Sequence, residues 1–283
     1  MRIRYHYTFI GKAAIIRFLD NNQIPFETSM VYKSGDKLCH FDIYSDDPIY
    51  SKFKRHFPLH FTWCNPSFVE YDDSEIESAP WLFVRSMSKQ IDWIFDESSY
   101  SMTCPYKKLF SSTNSYKHIE QIAPLTVGKK PKWSNRRYFS GPNAADDDLI
   151  FCSSIAKALL GDRWQGLEFL PVKNRRGTLH IDDTYQMQFT NIIPVCAFSG
   201  GKRKRCSSCD KEYIVMKDGL HSLKIEEKYL DDDNKVFQTG SILTDSPFGF
   251  PLYTANIVPQ SFYQFCKNHN MNHGMIYEPV NLV

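Results

Sequence analysis

The sequence predicts an α+β protein with a mixed N-terminal domain (residues 1–100), a connecting segment (101–135) and a C-terminal domain (136–283). Strand-like alternation is interleaved with helical spacing in the first hundred residues, and the second half contains an internal repeat. The chain is also 42% hydrophobic and 15% aromatic. That apolar content is enough to form a core and too high for a disordered protein.

The first elements follow from side-chain spacing. Residues 2–10 alternate bulky and polar side chains, which is typical of a strand, and residues 12–22 carry apolar residues at helical intervals. Residues 26–32 and 38–44 indicate a pair of strands, and a short helix is predicted over 46–53.

The end of the N-terminal domain is placed near residue 100. A further helix is predicted to begin at Asp73, and the aromatic and β-branched residues of 81–85 favour a strand. From residue 101 the composition shifts to Ser, Thr, Asn and Lys without periodicity, although aromatic residues persist. We therefore interpret 101–135 as an ordered connection.

The second half contains two similar segments. Residues 149–172 are echoed by residues 255–280, and both segments end in Gly-x4-Pro-Val, beginning at Gly166 and Gly274. Each segment predicts a strand, a helix and a strand. Two copies are too few for a solenoid, so we expect a duplicated element within one α+β domain, with the copies packed about an approximate twofold axis.

Each predicted helix of the repeat carries an apolar stripe that is expected to face the core. The first stripe consists of Ile155, Ala158 and Leu159, and the second of Phe262, Phe265 and Cys266. The eight cysteines are scattered, which is typical of reduced thiols in a large chain. Three of them have apolar neighbours and are predicted to be buried: Cys39, Cys152 and Cys266.

Charge and hydropathy restrict the partners and the location. Lys and Arg total 34 against 32 Asp and Glu, a net charge of +2 that gives no global attraction to nucleic acid. No apolar run approaches the ~20 residues of a membrane-spanning helix. The first residues carry Arg2 and Arg4 where a signal peptide needs an apolar core. We predict a cytoplasmic protein with no membrane partner.

Cys206 and Cys209 form a C-x2-C motif, which can present two thiolates to one zinc ion. The nearest source of a second ligand pair is Cys266 with His269, but the repeat places Cys266 on the apolar face of a helix. We therefore favour a surface hairpin without a bound cofactor, and a zinc site at Cys206 and Cys209 is the alternative.

A run of four cations directly precedes this motif. Lys202, Arg203, Lys204 and Arg205 form either a solvated loop or a contact surface for phosphates or an acidic partner. Stacking of bases would need interleaved aromatic residues, and none occurs between positions 200 and 212. Binding of nucleic acid is therefore not favoured.

A second candidate surface lies at 133–138. Trp133, Arg136, Arg137 and Tyr138 are residue types that anchor protein interfaces. The alternative is that the aromatic residues of this segment belong to the core.

No recognised catalytic motif occurs in the sequence. It has no H-E-x-x-H, no nucleophile elbow and no Gly-rich phosphate loop. We assign no catalytic residue and favour a protein without enzymatic activity. A hydrolase whose groups come from distant positions is an alternative.

The repeat and the cysteine pair resemble bacterial immunity proteins of the double-CxxCG type, which are found beside polymorphic toxins. The resemblance covers roughly residues 136–283, and the matching segments are 149–160, 166–172, 206–209 and 274–280. Asp210 stands where that type has Gly, and the second CxxC is absent, which puts metal binding in doubt. The resemblance implies a non-catalytic protein that binds a cognate toxin or another defence-related partner. A zinc-containing nucleic-acid-binding protein that uses the cysteine pair and the basic run is the first alternative.

Overall fold

The computed structural model describes residues 2–10, 13–31, 37–57, 63–87, 89–94, 96–102, 105–107, 114–116, 119–128, 131–142, 149–176, 180–207, 209–216, 220–244 and 254–283. The chain divides into two compact units, 1–75 and 76–283. Helices and several β-sheets occur, which confirms the predicted α+β class.

The first unit is one antiparallel sheet with two helices. Its elements are β1 (Arg2–Ile10), α1 (Ala13–Asn21), β2 (Phe26–Val31), β3 (Lys37–Tyr44), α2 (Pro48–His56) and β4 (Trp63–Glu70). The strands have the order β2-β3-β1-β4. α1 connects β1 to β2, which both pair with the antiparallel β3, and α2 connects β3 to β4, which both pair with the antiparallel β1. This is a split β-α-β unit, repeated once.

Local sequence predicted these elements well, except for β4. Asn65 and Pro66 are unfavourable in strands and hide its alternation. Proline is tolerated at the edge of a sheet and at irregularities of the ladder; β4 is an edge strand, and its register with β1 shifts between Ser67 and Cys64, where Pro66 lies. The helix predicted over 46–53 continues to His56, and Asp47 caps it by accepting a hydrogen bond from the Ile49 N–H at 2.8 Å.

Aromatic residues form the core of the first unit. Alternation along β1 directs Tyr7 to the helical side, where its ring lies 5.1 Å from that of Phe41 and 5.0 Å from that of Phe53. Ile15 and Leu19 of α1 are buried in the same cluster. The predicted burial of Cys39 is confirmed there as well.

The second unit contains the remaining described strands and helices, beginning with α3, which spans the division between the units. They are α3 (Asp73–Ser78), β5 (Trp81–Ser86), β6 (Lys89–Ile91), β7 (Trp93–Ile94), β8 (Tyr100–Met102), β9 (Pro105–Lys107), β10 (Asn114–Tyr116), β11 (Ile119–Gln121), β12 (Thr126–Val127), β13 (Phe139–Pro142), β14 (Ile150–Ser153), α4 (Ser154–Leu160), β15 (Leu167–Lys173), β16 (His180–Phe189), β17 (Ile192–Ile193), β18 (Phe198–Ser199), β19 (Lys202–Arg205), β20 (Glu212–Met216), β21 (Lys224–Ile225), β22 (Phe237–Thr239), β23 (Ile242–Thr244), β24 (Asn256–Pro259), α5 (Gln260–Asn268), β25 (Met275–Pro279) and β26 (Asn281–Leu282).

Two large sheets organise this unit. One has seven strands in the order β6-β13-β14-β16-β15-β12-β7, and the other has five in the order β17-β22-β24-β5-β25. Two three-stranded sheets, β18-β21-β26 and β19-β20-β23, and two short pairs, β10-β9 and β11-β8, complete the described strands.

The division at residue 75 differs from the predicted end of the first region near residue 100. β5 is the reason, because it pairs with β24 and β25, which lie about 175 to 195 residues later in the chain. The segment 101–135 likewise contributes β12 to the seven-stranded sheet. These long-range pairings leave no local signature in the composition.

Both segments of the predicted repeat contain a strand, a helix and a strand. In the first, β14 and β15 flank the antiparallel β16, and in the second, β24 and β25 flank the antiparallel β5. α4 and α5 contribute to one hydrophobic cluster. The two segments thus share an order of elements and a pairing pattern, while their origin by duplication stays a prediction.

Glycines at corresponding positions allow each segment to lie close to backbone that adjoins the other segment. Gly166 and Gly274 both have positive φ angles, of 83° and 98°. A Cβ on Gly274 would lie 2.6 Å from the carbonyl oxygen of Phe139, which begins β13 beside the first segment. A Cβ on Gly166 would lie 2.9 Å from the carbonyl oxygen of Val236, which precedes β22 beside the second. The close contacts are therefore reciprocal.

The predicted stripe of α4 is wrong in part. Ile155 is 57% exposed and Ala158 is also exposed, whereas Ala156 and Leu160 are buried. Ser153 caps this helix by accepting a hydrogen bond from the Ala156 N–H. The helix has only seven residues, and the side that carries Ala156 and Leu160 faces the core in place of the predicted side. In α5, Phe262 and Cys266 are buried and Phe265 packs against the same cluster, as predicted.

Candidate functional site

The basic run forms a β-strand at the outer position of a three-stranded sheet. β19 pairs with β20, with Lys202 opposite Val215 and Arg205 opposite Glu212, and β20 pairs on its other side with β23. All four side chains of β19 are exposed. We call this segment, Lys202–Arg205, the basic strand.

Charge matching within the basic strand is uneven. Arg205 donates hydrogen bonds to Asp210 at 3.0 Å and to Glu212 at 2.9 Å. The hydrogen bond to Glu212 and the nearby Asp210 raise the pKa of Arg205. Its positive charge is therefore balanced by these two carboxylates. Among the residues that the structure describes, Lys202, Arg203 and Lys204 have no ion pair. Three unmatched cations therefore lie in a row on an outer strand.

The cysteine pair lies in the turn that connects the basic strand to β20. The Cys206 N–H donates to the carbonyl oxygen of Lys211 at 2.9 Å, and the Asp210 N–H donates to the carbonyl oxygen of Cys206 at 2.9 Å. Asp210 has a φ of 59°, in the left-handed region that Gly favours and Asp tolerates. The residue that follows the motif thus has the backbone conformation for which Gly is best suited.

The described residues supply only half of a zinc site at this turn. Cys206 is buried and Cys209 half-buried, in a small cluster with Tyr213 and Val215. No group of three or more His, Cys, Asp or Glu suited to a metal ion occurs in the described part of the chain. Position 208, inside the motif, is outside the description.

Cys266 and His269, the possible second ligand pair, belong to different surroundings. Cys266 is buried in the large cluster of the second unit, and burial raises the pKa of its thiol to about 12. The ring of His269 stacks on that of Phe265 at 4.1 Å. The structure therefore does not bring this pair to the cysteine turn.

The second predicted surface is partly a packing element. Trp133 donates from Nε1 to Thr184 Oγ1 at 3.1 Å and packs against a buried cluster, and Tyr138 packs against the large core. Arg137 closes a tight turn through mutual backbone hydrogen bonds with Ser134, while Arg136 is exposed. This turn adjoins the seven-stranded sheet and is separate from the sheet of the basic strand.

A polar surface that sequence reasoning missed lies in the first unit. Residues 2, 4 and 6 of β1 alternate with core residues, so they share the opposite face of the sheet with residues of β3 and β4. We call this surface the paired face; its members are Arg2, Arg4, His6, Asp42, Tyr44, Asp46 and Glu70. The alternation Arg2, Arg4, His6 was the available sequence signal.

The charges of the paired face are matched internally. Arg4 lies 3.6 Å from Asp42 and 3.2 Å from Glu70, and His6 Nδ1 lies 2.7 Å from Asp42. Arg2 pairs with Asp46 at 3.0 Å and lies over the Tyr44 ring. The hydrogen bond from Arg2 lowers the pKa of Asp46, so this carboxylate stays ionised beside its partner.

Within the described part of the chain, the helices are too short or too polar to cross a bilayer. No protein-family model, curated protein or solved structure matches the chain.

Proposed function

We propose that this chain is a non-catalytic, cytoplasmic protein-binding module of the immunity or antitoxin type, and that it neutralises a toxin or binds another protein of a bacterial defence system. The basic strand is the surface through which it contacts that partner. The observation that carries this proposal is the row of three exposed, unmatched cations in a chain whose net charge is only +2.

The positions of these cations favour a specific contact over general solubility. Some exposed cations elsewhere pair with carboxylates, such as Arg2 with Asp46 at 3.0 Å and Lys228 with Glu226 at 2.6 Å. In the basic strand, three consecutive cations have no such partner among the described residues. A row without such partners creates a local positive field, which attracts and orients an acidic partner. Charge complementarity of this kind speeds association and rejects partners of the wrong sign.

The resemblance to double-CxxCG immunity proteins supports the same proposal. Asp210 has the left-handed conformation that Gly adopts without strain, so a Gly would fit at the position where a CxxCG sequence has one. The support is confined to the C-terminal part of the chain, from about residue 136.

A zinc-containing nucleic-acid-binding protein is the second candidate. The favourable observation is the turn itself, in which Cys206 and Cys209 lie close in sequence beside the cations of the basic strand. A partner or another part of the chain would have to complete the tetrahedral ligand set that structural zinc sites require. We rank this candidate lower because the basic strand has no interleaved aromatic residue for base stacking.

The test is affinity capture of the tagged full chain from its native host. The bait is compared with a variant that carries Lys202→Glu, Arg203→Glu and Lys204→Glu, and with a control that carries Lys132→Glu, Arg175→Glu and Arg176→Glu. The control changes the net charge equally at exposed positions elsewhere.

We expect one protein to co-purify with the wild-type chain and with the control, and to be lost with the basic-strand variant. The recombinant pair should then form a 1:1 complex in size-exclusion chromatography. Equal recovery of that protein with all three baits would show that the basic strand is not the contact surface.

A further inference from the structure

We infer that the basic strand binds an extended acidic segment of its partner by strand addition, so that the segment becomes a fourth strand of the β19-β20-β23 sheet. The inference rests on the proposed function and specifies the chemistry of the partner. It depends on two properties of the basic strand, the direction of its backbone groups and the distribution of its charges.

The register identifies which backbone groups are available. The Cys206 N–H donates to Lys211, so this is a hydrogen-bonded pair of the antiparallel ladder. Such pairs alternate along the ladder, and Lys204 opposite Tyr213 and Lys202 opposite Val215 are therefore the next two. The N–H and C=O groups of Arg203 and Arg205 point the other way, toward the outer edge.

An independent hydrogen bond agrees with this assignment. The Ile214 N–H donates to the carbonyl oxygen of Ser241 at 3.1 Å, on the side of β20 that faces away from the basic strand. Ile214 lies opposite Arg203, so this pair exchanges no hydrogen bond within the ladder. The outer edge of the basic strand therefore offers two N–H donors and two carbonyl acceptors, spaced as an added strand requires.

The side chains determine which kind of strand can be added. Lys202 and Lys204 lie on one face of the sheet and Arg203 on the other. Lysine on an edge strand discourages pairing with another neutral or basic strand, which is how many proteins prevent aggregation at sheet edges. A strand with Glu or Asp at alternate positions places carboxylates within reach of the cations, because cross-strand neighbours lie about 5 Å apart. The same charges that exclude most strands thus select an acidic one.

Strand addition predicts a dependence on backbone groups that simple charge attraction lacks. The probe is a fluorescein-labelled ten-residue peptide of alternating Glu and Thr. Its twin has the same sequence with every backbone nitrogen methylated, which keeps the charge of the peptide and removes its backbone N–H donors. A twelve-residue oligothymidine tests a polyanion that cannot pair with a strand. All three are titrated against the full chain by fluorescence anisotropy.

We expect the Glu–Thr peptide to bind, and its methylated twin to bind at least tenfold more weakly. The variant with Glu at 202, 203 and 204 should lose at least tenfold in affinity, and the control with Glu at 132, 175 and 176 should stay within twofold. Binding should also slow hydrogen exchange at the amides of Arg203 and Arg205.

A proline at the outer edge separates backbone from charge. Arg203→Ala and Arg203→Pro remove the same cation, but only the proline also removes an N–H that points outward and contributes nothing to the ladder with β20. We expect the proline variant to bind the peptide several-fold more weakly than the alanine variant. Circular dichroism and thermal unfolding of both variants check that the sheet is retained.

Three results would overturn the inference. Equal binding of the methylated twin would show a charge contact without strand addition, and the proposed function would stand. Absence of peptide binding at millimolar concentration would reject the acidic segment, and capture from the host would still decide the proposed function. Tighter binding of oligothymidine, lost in the basic-strand variant, would favour nucleic acid as the occupant.

Discussion

The paired face and the basic strand both expose cations on a β-sheet, and they differ in whether those cations have partners. On the paired face, Arg4 contacts two carboxylates and Arg2 contacts one. In the basic strand, Arg205 contacts two carboxylates, and its three neighbours contact none in the part of the chain that the structure describes. Cations of the paired face already interact with carboxylates of the same chain, whereas the unpaired cations of the basic strand can interact with carboxylates of another molecule. Changes to the paired face should therefore alter stability, and changes to the basic strand should alter binding.

The largest effect is expected beneath the paired face. Phe53 is completely buried between Tyr7 and Phe41, so Phe53→Ala should lower the free energy of unfolding of the first unit by about 3–5 kcal/mol. Urea denaturation followed by tyrosine fluorescence measures this loss. Binding of the acidic peptide to the basic strand should be retained where the second unit stays folded. A loss below about 1 kcal/mol would mean that the aromatic cluster does not support this sheet.

The next effect concerns the thiol that follows the basic strand. Cys206 is 3% exposed, so Cys206→Ser should place a hydroxyl in an apolar cluster and cost about 1–2 kcal/mol. We expect no stoichiometric zinc in the purified wild-type chain, as measured by mass spectrometry of the metal content. Close to one zinc per chain, together with a loss on the order of 10 kcal/mol in the variant, would instead identify a structural zinc site.

A smaller effect is expected within the paired face. Arg4→Ala leaves Asp42 and Glu70 without their shared cation and should cost about 1 kcal/mol at low salt. The difference should shrink at 1 M salt, because surface charges are then screened. Arg17→Ala is the matched control, since within the described ranges the Arg17 Nε donates only to the helix backbone, at the carbonyl oxygen of Ala13. Equal stability of the two variants would argue that the charges of the paired face are not coupled.

The smallest effect on stability is expected at the basic strand itself. Alanine at Lys202, Arg203, Lys204 and Arg205 together should change the free energy of unfolding by less than about 0.5 kcal/mol, because surface substitutions rarely do more. We also expect no change in affinity for oligonucleotides, because the wild-type chain should bind them little.

Salt dependence checks this last expectation. Four cations on phosphates would give a slope of log K against log salt of roughly −3. Oligonucleotide binding near physiological salt with such a slope, abolished in the quadruple variant, would refute the protein-binding role of the basic strand.

Sequence reasoning succeeded where one element determines its own conformation. The alternation in β1 and the helical spacing in α1 predicted both elements to within a residue or two. It failed where another part of the chain decides, as for β4, whose Pro66 is acceptable because the strand lies at a sheet edge and its register with β1 is irregular there. The stripe of α4 belongs to the same class, because seven residues cannot define a face without knowledge of what packs against it.

For the candidate site, the sequence predicted which residues are of interest, and the structure decided their contacts. The sequence predicted the basic run, the cysteine pair and the aromatic residues of 133–138 as the residues of interest. The structure added that Trp133 donates a hydrogen bond to Thr184. It also added that Arg205 pairs with carboxylates, while its three neighbours have no ion pair among the described residues. Nothing in the run itself distinguishes Arg205 from Arg203.

The sequence by itself determined the α+β class, the strand–helix–strand order of the two similar segments and the burial of Cys152 and Cys266. All of these depend on the spacing of side chains over ten to thirty residues. The tertiary structure decided that β5 belongs with β24 and β25, and which charges are matched. The physical reason is that strand pairing and ion pairing depend on register between residues far apart in the chain, such as Arg85 and Glu278 at 2.7 Å. A shift of the register by one residue would move every side chain of a strand to the opposite face of the sheet and would change its cross-strand partners.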